Sequence, residues 1–389
     1  MKSRVVITGS AFFSPLGNSG TDVIFAMVEN RTAFKRADFD LDLVVAKVPD
    51  FNLKTHTGRY KNARYLNRGA AFGVASALRA VKDSGLSRDM LESAGLFTGA
   101  GPNLDREERS ALWILKFLPN TAAAAIADLV GIHGEGITIS TACATTLQVV
   151  GEAFQKIKNG NLDVALAGGG DSRVNPGAAR AYKMAGALST VKADPDKVHR
   201  PFDLGRKGFV MGEGGGFVIL ESLDHAKKRG ANILAEVAGA GTSMDGGNMT
   251  APESSGIWME KAVKKALTQA ELPPDKIDVV STHGTGTQLN DAMETALMER
   301  LFVKKSPRII ALKSWIGHLS TACGVVELSI CLSLMKKGIL PAIRNLKDPS
   351  SPYLDFMTES RETFFNTLLL QNFGFGGQNA ALVVKKWRE

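Results

Sequence analysis

Gly136-Ile137-Thr138-Ile139-Ser140-Thr141-Ala142-Cys143-Ala144-Thr145-Thr146 passes from a β-branched run to small residues and a cysteine. Apolar residues then recur at helical spacing, at Leu147, Val150, Phe154 and Ile157. This pattern predicts a strand that turns into a helix, with Cys143 on the turn. Unpaired backbone N–H groups and the positive end of the helix dipole favour thiolate there. We therefore expect Cys143 to have a lowered pKa and to be a nucleophile.

Composition limits the other classes of function. The 389 residues suffice for two cores or one fused pair, and 44% hydrophobic with 22% charged residues is ordinary for a soluble globular protein. The three cysteines stand at irregular spacing, which favours a reducing cytoplasm over a disulfide framework. A lone cysteine is more often a small buried hydrophobe than a nucleophile, and this alternative suits Cys323 and Cys331.

Charge and hydropathy point to an acidic partner away from membranes. The net charge is +8, but the basic residues are spread along the chain and accompany no nucleic-acid motif, so we expect no nucleic acid. No apolar run reaches membrane-spanning length, and the strand pattern beginning at Val5 leaves no room for a signal peptide. We expect a cytoplasmic protein that binds no membrane.

The second half of the chain repeats the pattern of the first. Predicted strands and helices correspond in four pairs of ranges: 5–9 with 233–241, 66–84 with 256–270, 96–101 with 279–284, and 136–143 with 308–313. A closing pair of predicted strands at 367–371 and 380–385 corresponds to the pair at 163–167 and 215–220. Strands alternating with long helices predict layered α/β structure with mainly parallel sheets. We interpret the chain as two similar halves, 1–231 and 232–389.

Loops at the carboxyl ends of strands from both halves are expected to converge on one crevice. These loops carry Cys143, His283, the segment from Lys313 to His318, and Phe373. Each histidine alone is more often structural, because imidazole finds partners easily. Together, a thiol and two imidazoles supply a covalent acceptor and two donors for a developing oxyanion.

Four motifs follow one another along the chain. They are Ser140-Thr141-Ala142-Cys143-Ala144-Thr145, His283-Gly284-Thr285-Gly286-Thr287, Lys313-Ser314 with Gly317-His318, and Asn372-Phe373-Gly374-Phe375-Gly376-Gly377. In this order they resemble the motifs of the elongating β-ketoacyl-acyl-carrier-protein synthases of the I/II type. Arg200-Pro201-Phe202-Asp203 matches the family's mid-chain signature. The similarity runs from Val5 to Lys386. It implies the thiolase fold, with duplicated βαβαβαββ halves in a five-layer α-β-α-β-α arrangement.

The resemblance implies a role for each catalytic group. Cys143 would receive an acyl chain as a thioester, and the N–H groups of Cys143 and Phe373 would form the oxyanion hole. His283 and His318 would hold the thioester carbonyl of the malonyl carrier during loss of carbon dioxide, although the sequence does not say which of them acts in decarboxylation. Lys313 would be fixed by Glu294.

Other residues are implied in substrate binding. Thr285 and Thr287 look like the family's hydroxyls for the phosphopantetheine arm, Phe373 like its gate, and Phe375 belongs to the same loop. Glu327 matches a family position as structural support. The implied partner is an acyl carrier protein, with no cofactor and no metal. Precedent favours a homodimer, and a heterodimer stays open.

A basic rim is expected to steer the acidic carrier. Its candidate residues are Arg59, Lys61, Arg64, Arg68 and Arg200. We single out Arg64 and Arg200. The alternative is a solvated basic face without a partner.

Several departures from the family leave the substrate open. Gly286 and Gln288 stand where fatty-acid synthases more often have Ser and Pro, Trp315 is larger than usual, and Thr145-Thr146 replaces a smaller pair. The segment 102–131 is also shorter than in typical members of the family. Chain length, extender unit, and a fatty acid against a polyketide or polyene pathway therefore stay undecided.

Three other classes of protein fit the sequence less well. A thiolase would need a second cysteine in the loop 373–377, which has none. A non-catalytic chain-length subunit normally lacks the nucleophile, although this chain could be the catalytic half of a heterodimer with one. A dinucleotide-binding enzyme would need a Gly-x-Gly-x-x-Gly between a strand and a helix, and the glycines at 168–170 are better explained by close packing.

Overall fold

The computed structural model describes residues 3–102 and 111–388. Its strands are β1 Val5–Phe13, β2 Phe34–Ala37, β3 Asp40–Ala46, β4 Gly95–Gly99, β5 Gly136–Ile139, β6 Val164–Ser172, β7 Met211–Ser222, β8 Ala235–Met244, β9 Val279–Ser281, β10 Arg308–Ile310, β11 Ile339–Leu340, β12 Asp355–Phe356, β13 Arg361–Glu362, β14 Thr367–Gly374 and β15 Gln378–Lys386.

The helices alternate with these strands. They are α1 Gly20–Val28, α2 Lys54–Thr57, α3 Arg68–Ser84, α4 Arg88–Leu91, α5 Thr121–Val130, α6 Thr145–Lys158, α7 Pro176–Met184, α8 Pro195–Val198, α9 Leu223–Lys228, α10 Ile257–Gln269, α11 Gln288–Leu301, α12 Lys313–Ile316 and α13 Cys323–Lys337. Within the two described ranges, no helix is both long and apolar enough to cross a membrane.

Both halves have the same sheet topology. The strand order is β5-β4-β6-β7-β1 in the first half and β10-β9-β14-β15-β8 in the second, which places corresponding elements in corresponding positions. Antiparallel pairing of Val5–Ile7 in β1 with residues 235–237 of β8 joins the halves into one hydrogen-bonded sheet. The predicted repeat is therefore present in the topology. The predicted boundary at residue 231 falls in the connection between α9 and β8 and stays a prediction.

Helices separate and cover the two half-sheets. The buried helices α6 and α13 pack against each other and against strands of both halves, so they form the central layer. On the outer faces, α3 and α5 pack against the first half-sheet, while α10 packs against β8 and β15, with α11 beside it. This confirms the five-layer α/β arrangement that the family resemblance implies.

Glycines at the end of β6 permit the close approach of α3. A Cβ at Gly170 would lie 2.2 Å from the carbonyl oxygen of Gly69 and 2.6 Å from the backbone nitrogen of Gly73. No larger residue fits, which agrees with the packing role predicted for 168–170. The helix begins at Arg68, where the Asn67 side chain accepts a hydrogen bond from the Ala70 N–H, and it ends at Ser84, which is the end of the predicted range 66–84.

Two sequence predictions of local structure were incomplete. The sequence of 32–56 predicts irregular or weakly stranded structure, but β2 and β3 form a hairpin and β3 pairs with β7. Residues at both ends of β2 are buried while its centre is exposed, so the segment lacks the alternation that predicts a strand. The sequence also predicts a helical stretch near 110–117; this range lies partly outside the described residues, and Trp113–Lys116 forms a 3-10 turn.

Candidate active site

Cys143 lies in a tight turn between β5 and α6. Ala142–Ala144 form a 3-10 turn, and α6 begins at Thr145, as the sequence pattern predicts. Ala142 has a φ of 48°, in the left-handed region that a side chain rarely adopts. The Thr145 hydroxyl accepts a hydrogen bond from the Thr141 N–H at 2.9 Å and donates one to the Ala142 carbonyl at 2.6 Å. Thr145, one of the pair that replaces a smaller pair in the family, thus stabilises the turn.

The loop after β14 reaches this turn because Gly374 has no side chain. A Cβ at Gly374 would lie 3.0 Å from the Cys143 nitrogen and 2.9 Å from the Thr141 carbonyl oxygen. Even an alanine would crowd the backbone at these distances. The glycine therefore lets Phe373 and Phe375 flank Cys143.

The thiol and both predicted histidines converge. The Cys143 sulfur and the ligand nitrogens of His283 and His318 all lie within 4.8 Å of one another. The two imidazole rings are 5.6 Å apart and nearly perpendicular, and the Phe373 ring centre is 5.9 Å from that of His283. The structure thus brings Cys143 together with His318, 175 positions away in the chain, as expected from the converging loops.

Hydrogen bonds set the tautomer of both imidazoles. The Ser320 N–H donates to His318 Nδ1 at 2.9 Å, so the ring hydrogen of His318 must be on Nε2. The Asn372 amide lies 3.4 Å from His283 Nδ1 and favours the same tautomer there. Burial, reinforced by the Lys313 charge, holds the pKa of each histidine well below its usual value. Both rings are therefore neutral and have an Nε2–H to donate.

The partner of Lys313 differs from the one expected. Lys313 Nζ donates to Glu327 Oε1 at 2.6 Å, and both side chains are almost fully buried. Burial lowers the pKa of Lys313, but Glu327, together with Cys323 and Glu294, more than offsets this effect and holds the pKa above its usual value. The prediction that Glu294 fixes Lys313 is wrong, because Glu327 on α13 holds that position. Glu327 also accepts a hydrogen bond from Asn372 at 2.9 Å.

Glu294 instead holds the loop that carries His283. Its carboxylate accepts hydrogen bonds from the backbone N–H groups of His283 at 2.6 Å and Gly284 at 2.8 Å. Gln371 adds a third hydrogen bond at 2.7 Å. Burial raises the pKa of Glu294 to about 7, with these donors acting in the opposite direction. Glu294 is a positioning residue for the loop 283–287.

Cys143 does not have the lowered pKa expected from its place at a helix start. Burial raises its pKa to about 11, and the lowering by the Lys313 charge and by the Phe375 N–H is smaller. At neutral pH the resting group is therefore the thiol. Lys313, the Phe375 N–H and the start of α6 remain available to stabilise the thiolate once the thiol loses its proton.

A cavity of about 400 Å³ opens onto these groups. Besides Cys143, His283 and His318, its wall includes Tyr182, Lys207, Phe209, Asp245, Pro252, Thr285, Thr287, Leu289, Phe373 and Phe375. The Thr285 and Thr287 hydroxyls are 2.9 Å apart. Thr285, Thr287, Phe373 and Phe375 line the same cavity as Cys143, and their role in substrate binding stays a prediction.

The two arginines of the expected rim are absent from the described wall of this cavity. Arg200 faces Asp203 at 3.6 Å, and the Arg64 guanidinium lies 5.4 Å from the Tyr65 ring centre. Arg68, another candidate, is bound to Glu213 at 2.6 Å. The exposed cation on the wall is Lys207, which sequence reasoning missed.

Sequence reasoning also missed His199. This residue explains why a glycine stands at 286, where fatty-acid synthases more often have a serine. Its imidazole is fully buried, and His199 Nε2 lies 2.9 Å from the Thr285 carbonyl oxygen. A Cβ at Gly286 would lie 3.1 Å from the His199 ring. The ring therefore occupies the space of a side chain at 286. No sequence signal connects two positions so far apart.

A buried ion pair supports the opposite side of the turn. Asp171 pairs with Arg173 at 3.0 Å and accepts a hydrogen bond from the Thr321 hydroxyl at 2.9 Å. Cys323 lies 3.4 Å from His318 Nδ1, so it is buried as expected yet contacts a candidate catalytic group. The contact between Asp171 and Thr321 joins separate loops and could not be found from spacing, whereas Cys323 follows His318 by five residues.

Cys143, His283 and His318 are a possible set of metal ligands by residue type. A metal on the cavity side would need an unprotonated Nε2 on each ring. The Ser320 N–H and the Asn372 amide instead place the ring hydrogens on Nε2. The donor set therefore suits hydrogen bonding to an oxyanion better than metal binding.

Comparisons with known proteins agree with this geometry. Family models described as the beta-ketoacyl synthase N-terminal and C-terminal domains match residues 2–226 and 234–347. The relative named putative polyketide beta-ketoacyl synthase 1, from Streptomyces halstedii, is 32% identical over 414 residues, covering 99% of this chain and 98% of the relative. Escherichia coli K12 3-oxoacyl-[acyl-carrier-protein] synthase 1 is 32% identical over 410 residues, covering 99% and 100%. A solved beta-ketoacyl synthase from Burkholderia phymatum STM815 matches with a TM-score of 0.92 and 30% identity, and the match covers 100% of both chains.

Proposed function

The chain belongs to the β-ketoacyl synthase family, and on that premise we propose a mechanism for it as a 3-oxoacyl-acyl-carrier-protein synthase. The enzyme is an acyltransferase that condenses a cysteine-bound acyl group with malonyl-acyl-carrier-protein, with loss of carbon dioxide. The product is 3-oxoacyl-acyl-carrier-protein, in fatty acid synthesis. The observation that carries this mechanism is the pair of neutral imidazoles with Nε2–H donors beside the Cys143 thiol.

In the first half-reaction, Cys143 attacks the acyl thioester of a carrier. The new carbon–sulfur bond forms on Cys143, the bond to the carrier sulfur breaks, and the departing sulfur takes the thiol proton. The N–H groups of Cys143 and Phe375 stabilise the tetrahedral oxyanion, because the Phe375 N–H, and not the Phe373 N–H expected from the sequence, contacts the Cys143 sulfur. Lys313 and the dipole of α6 favour the transient thiolate, since the resting thiol is protonated.

In the second half-reaction, His283 and His318 donate their Nε2–H groups to the malonyl thioester oxygen. Electrons from the breaking carbon–carboxylate bond pass into an enolate, whose oxygen both donors stabilise. The enolate carbon then attacks the thioester on Cys143, and the Cys143 sulfur leaves. Neutral rings suit this role because they donate hydrogen bonds without surrendering protons.

Intact mass spectrometry tests the proposal. The protein is exposed to a panel of acyl carriers, then to malonyl carrier, and the adduct and product are measured. Wild-type protein should gain one acyl mass that disappears as the 3-oxoacyl product forms, and Cys143→Ala should gain none. An adduct on Cys143→Ala would contradict the assignment. The preferred adduct also reports acyl length.

A ketosynthase subunit of a polyketide or polyene pathway is the second candidate. The similarity to the S. halstedii relative, which is named putative polyketide beta-ketoacyl synthase 1, supports it. The preferred acyl substrate in repeated rounds of extension distinguishes the two candidates. A fatty acid enzyme should accept saturated acyl chains, and a polyketide enzyme should prefer 3-oxoacyl chains. If condensation requires an added chain-length subunit, the heterodimer is supported.

We further propose a homodimer that works in the cytoplasm with an acidic acyl carrier protein. β5 is the last strand of the sheet in the described structure, and such an edge can pair with another chain. Free cysteines suit a reducing compartment. Arg64 and Arg200 stay candidates for steering the carrier from outside the cavity. Analytical ultracentrifugation should give twice the chain mass, and a monomer would contradict the homodimer.

A further inference from the structure

Lys207 differs from every other residue on the described wall of the active-site cavity. It is the only lysine or arginine there, and its side chain is exposed. Among the described residues, it has no hydrogen-bond or ion-pair partner. Asp245, the acidic residue on the wall, is engaged with the Asn379 amide at 2.7 Å and the Glu253 N–H at 3.0 Å. The Lys207 charge is therefore free for a ligand.

The neighbours of Lys207 tie its backbone to the loop that carries Thr285 and Thr287. Arg206 donates to the Thr287 carbonyl at 3.1 Å and the Gln288 carbonyl at 2.9 Å. Gln288 returns a hydrogen bond to the Arg206 carbonyl at 2.6 Å, and the Gly208 N–H donates to Gly286 at 2.9 Å. The ammonium group thus has a fixed base beside the hydroxyls assigned to the substrate arm.

Exposure decides which part of the substrate Lys207 meets. The malonyl carboxylate must react beside the two imidazoles, which are 3% and 4% exposed. An exposed ammonium on the same cavity lies nearer to solvent, where the arm enters. The group at the outer end of a phosphopantetheine arm is an anionic phosphodiester, and an ammonium is a suitable point charge for it.

We propose that Lys207 binds the phosphate of the phosphopantetheine arm at the mouth of the cavity. The proposal rests on the proposed function and extends it to a subsite for the phosphate. The hydroxyls of Thr285 and Thr287 then face the amide portion of the arm, and the thioester reaches Cys143.

Three acyl thioesters of the same chain length test this subsite. They are acyl-phosphopantetheine, acyl-pantetheine and the acyl N-acetylcysteamine thioester, and the measurement is kcat/KM for acylation of Cys143. The phosphate preference is the ratio of the first kcat/KM to the second. Lys207→Gln should lower this ratio about threefold to tenfold, through KM, since one charge-assisted contact is lost. Lys207→Glu should lower it further, and Lys207→Arg should restore it.

Lys304→Gln is the matched control, because Lys304 is an exposed lysine away from the cavity wall. It should leave the ratio at the wild-type value. An unchanged ratio in Lys207→Gln, with normal acylation by acyl-pantetheine, would overturn the phosphate subsite and leave the proposed function standing. Failure of wild-type protein to be acylated by all three thioesters would overturn both.

Discussion

Residues 142–144 form a 3-10 turn that ends where α6 begins, and residues 320–322 form the corresponding turn before α13. Each turn contains one non-glycine residue with positive φ, 48° at Ala142 and 53° at Ser320. The next residue is Cys143 in the first half, where it faces the cavity, and Thr321 in the second, where it is 2% exposed and bonded to Asp171.

The difference shows how a duplicated scaffold divides its chemistry. The first turn presents the nucleophile, while the second uses the Ser320 N–H to set the tautomer of His318. The Thr146 hydroxyl joins the two turns by donating to the Thr321 carbonyl at 2.7 Å. One backbone shape thus serves covalent catalysis in one half and donor alignment in the other.

Moving the thiol between the turns should abolish activity. In Cys143→Ala/Thr321→Cys, the new thiol would be buried against Asp171 and could not meet an acyl carrier. We expect no acyl adduct by intact mass spectrometry and no condensation product. Acylation at position 321 would mean that the two turns are interchangeable.

Removing either histidine should separate the two half-reactions. His283→Ala and His318→Ala each lose an oxyanion donor, for which a fall of about 10²–10³ in the condensation rate is expected. Acylation of Cys143 should continue, because it uses backbone N–H groups. Product formation and adduct mass measure the two steps, with the exposed His133→Ala as the control. Equal loss of both steps would place the histidines in acyl transfer as well.

The raised pKa of Cys143 predicts its reactivity toward iodoacetamide. Because the thiolate is the nucleophile and the pKa is about 11, alkylation should rise about tenfold per pH unit from pH 6 to 9 without a plateau. Lys313→Met should slow it at every pH, since the Lys313 charge favours thiolate. Cys143→Ala supplies the background from the buried cysteines. A plateau below pH 8 would restore the lowered pKa expected from the helix start.

Relief of the backbone strain at Ala142 should have the smallest effect of these changes, and the effect is on the free energy of unfolding. Ala142→Gly removes the cost of a side chain at positive φ, and after the entropy cost of glycine we expect a gain of about 0.5–1 kcal/mol in the free energy of unfolding. Ser320→Gly should raise the free energy of unfolding by less, because it also removes the hydrogen bond between the Ser320 side chain and Tyr182. Urea denaturation measures both, and destabilisation by Ala142→Gly would show that the turn is not strained.

Pattern reasoning found the residues whose signals are local. The strand and helix around Cys143, the repeated topology, and the loops of His283 and His318 follow from periodicity and from glycines close in sequence. Such signals suffice because side chains a few positions apart decide whether a segment is helix or strand. Pattern reasoning did not find the hairpin of β2 and β3, because its burial depends on distant residues that pack on it.

The sequence by itself therefore determined the duplicated α/β scaffold and the identity of the thiol and imidazoles. Only the tertiary structure decided that Glu327 and not Glu294 pairs with Lys313, that the resting Cys143 is a thiol, and that Lys207 reaches the cavity where Arg64 and Arg200 do not. Ion pairing and pKa depend on burial and on distances of a few ångströms. Those distances are set by how the layers pack and cannot be read from spacing along the chain.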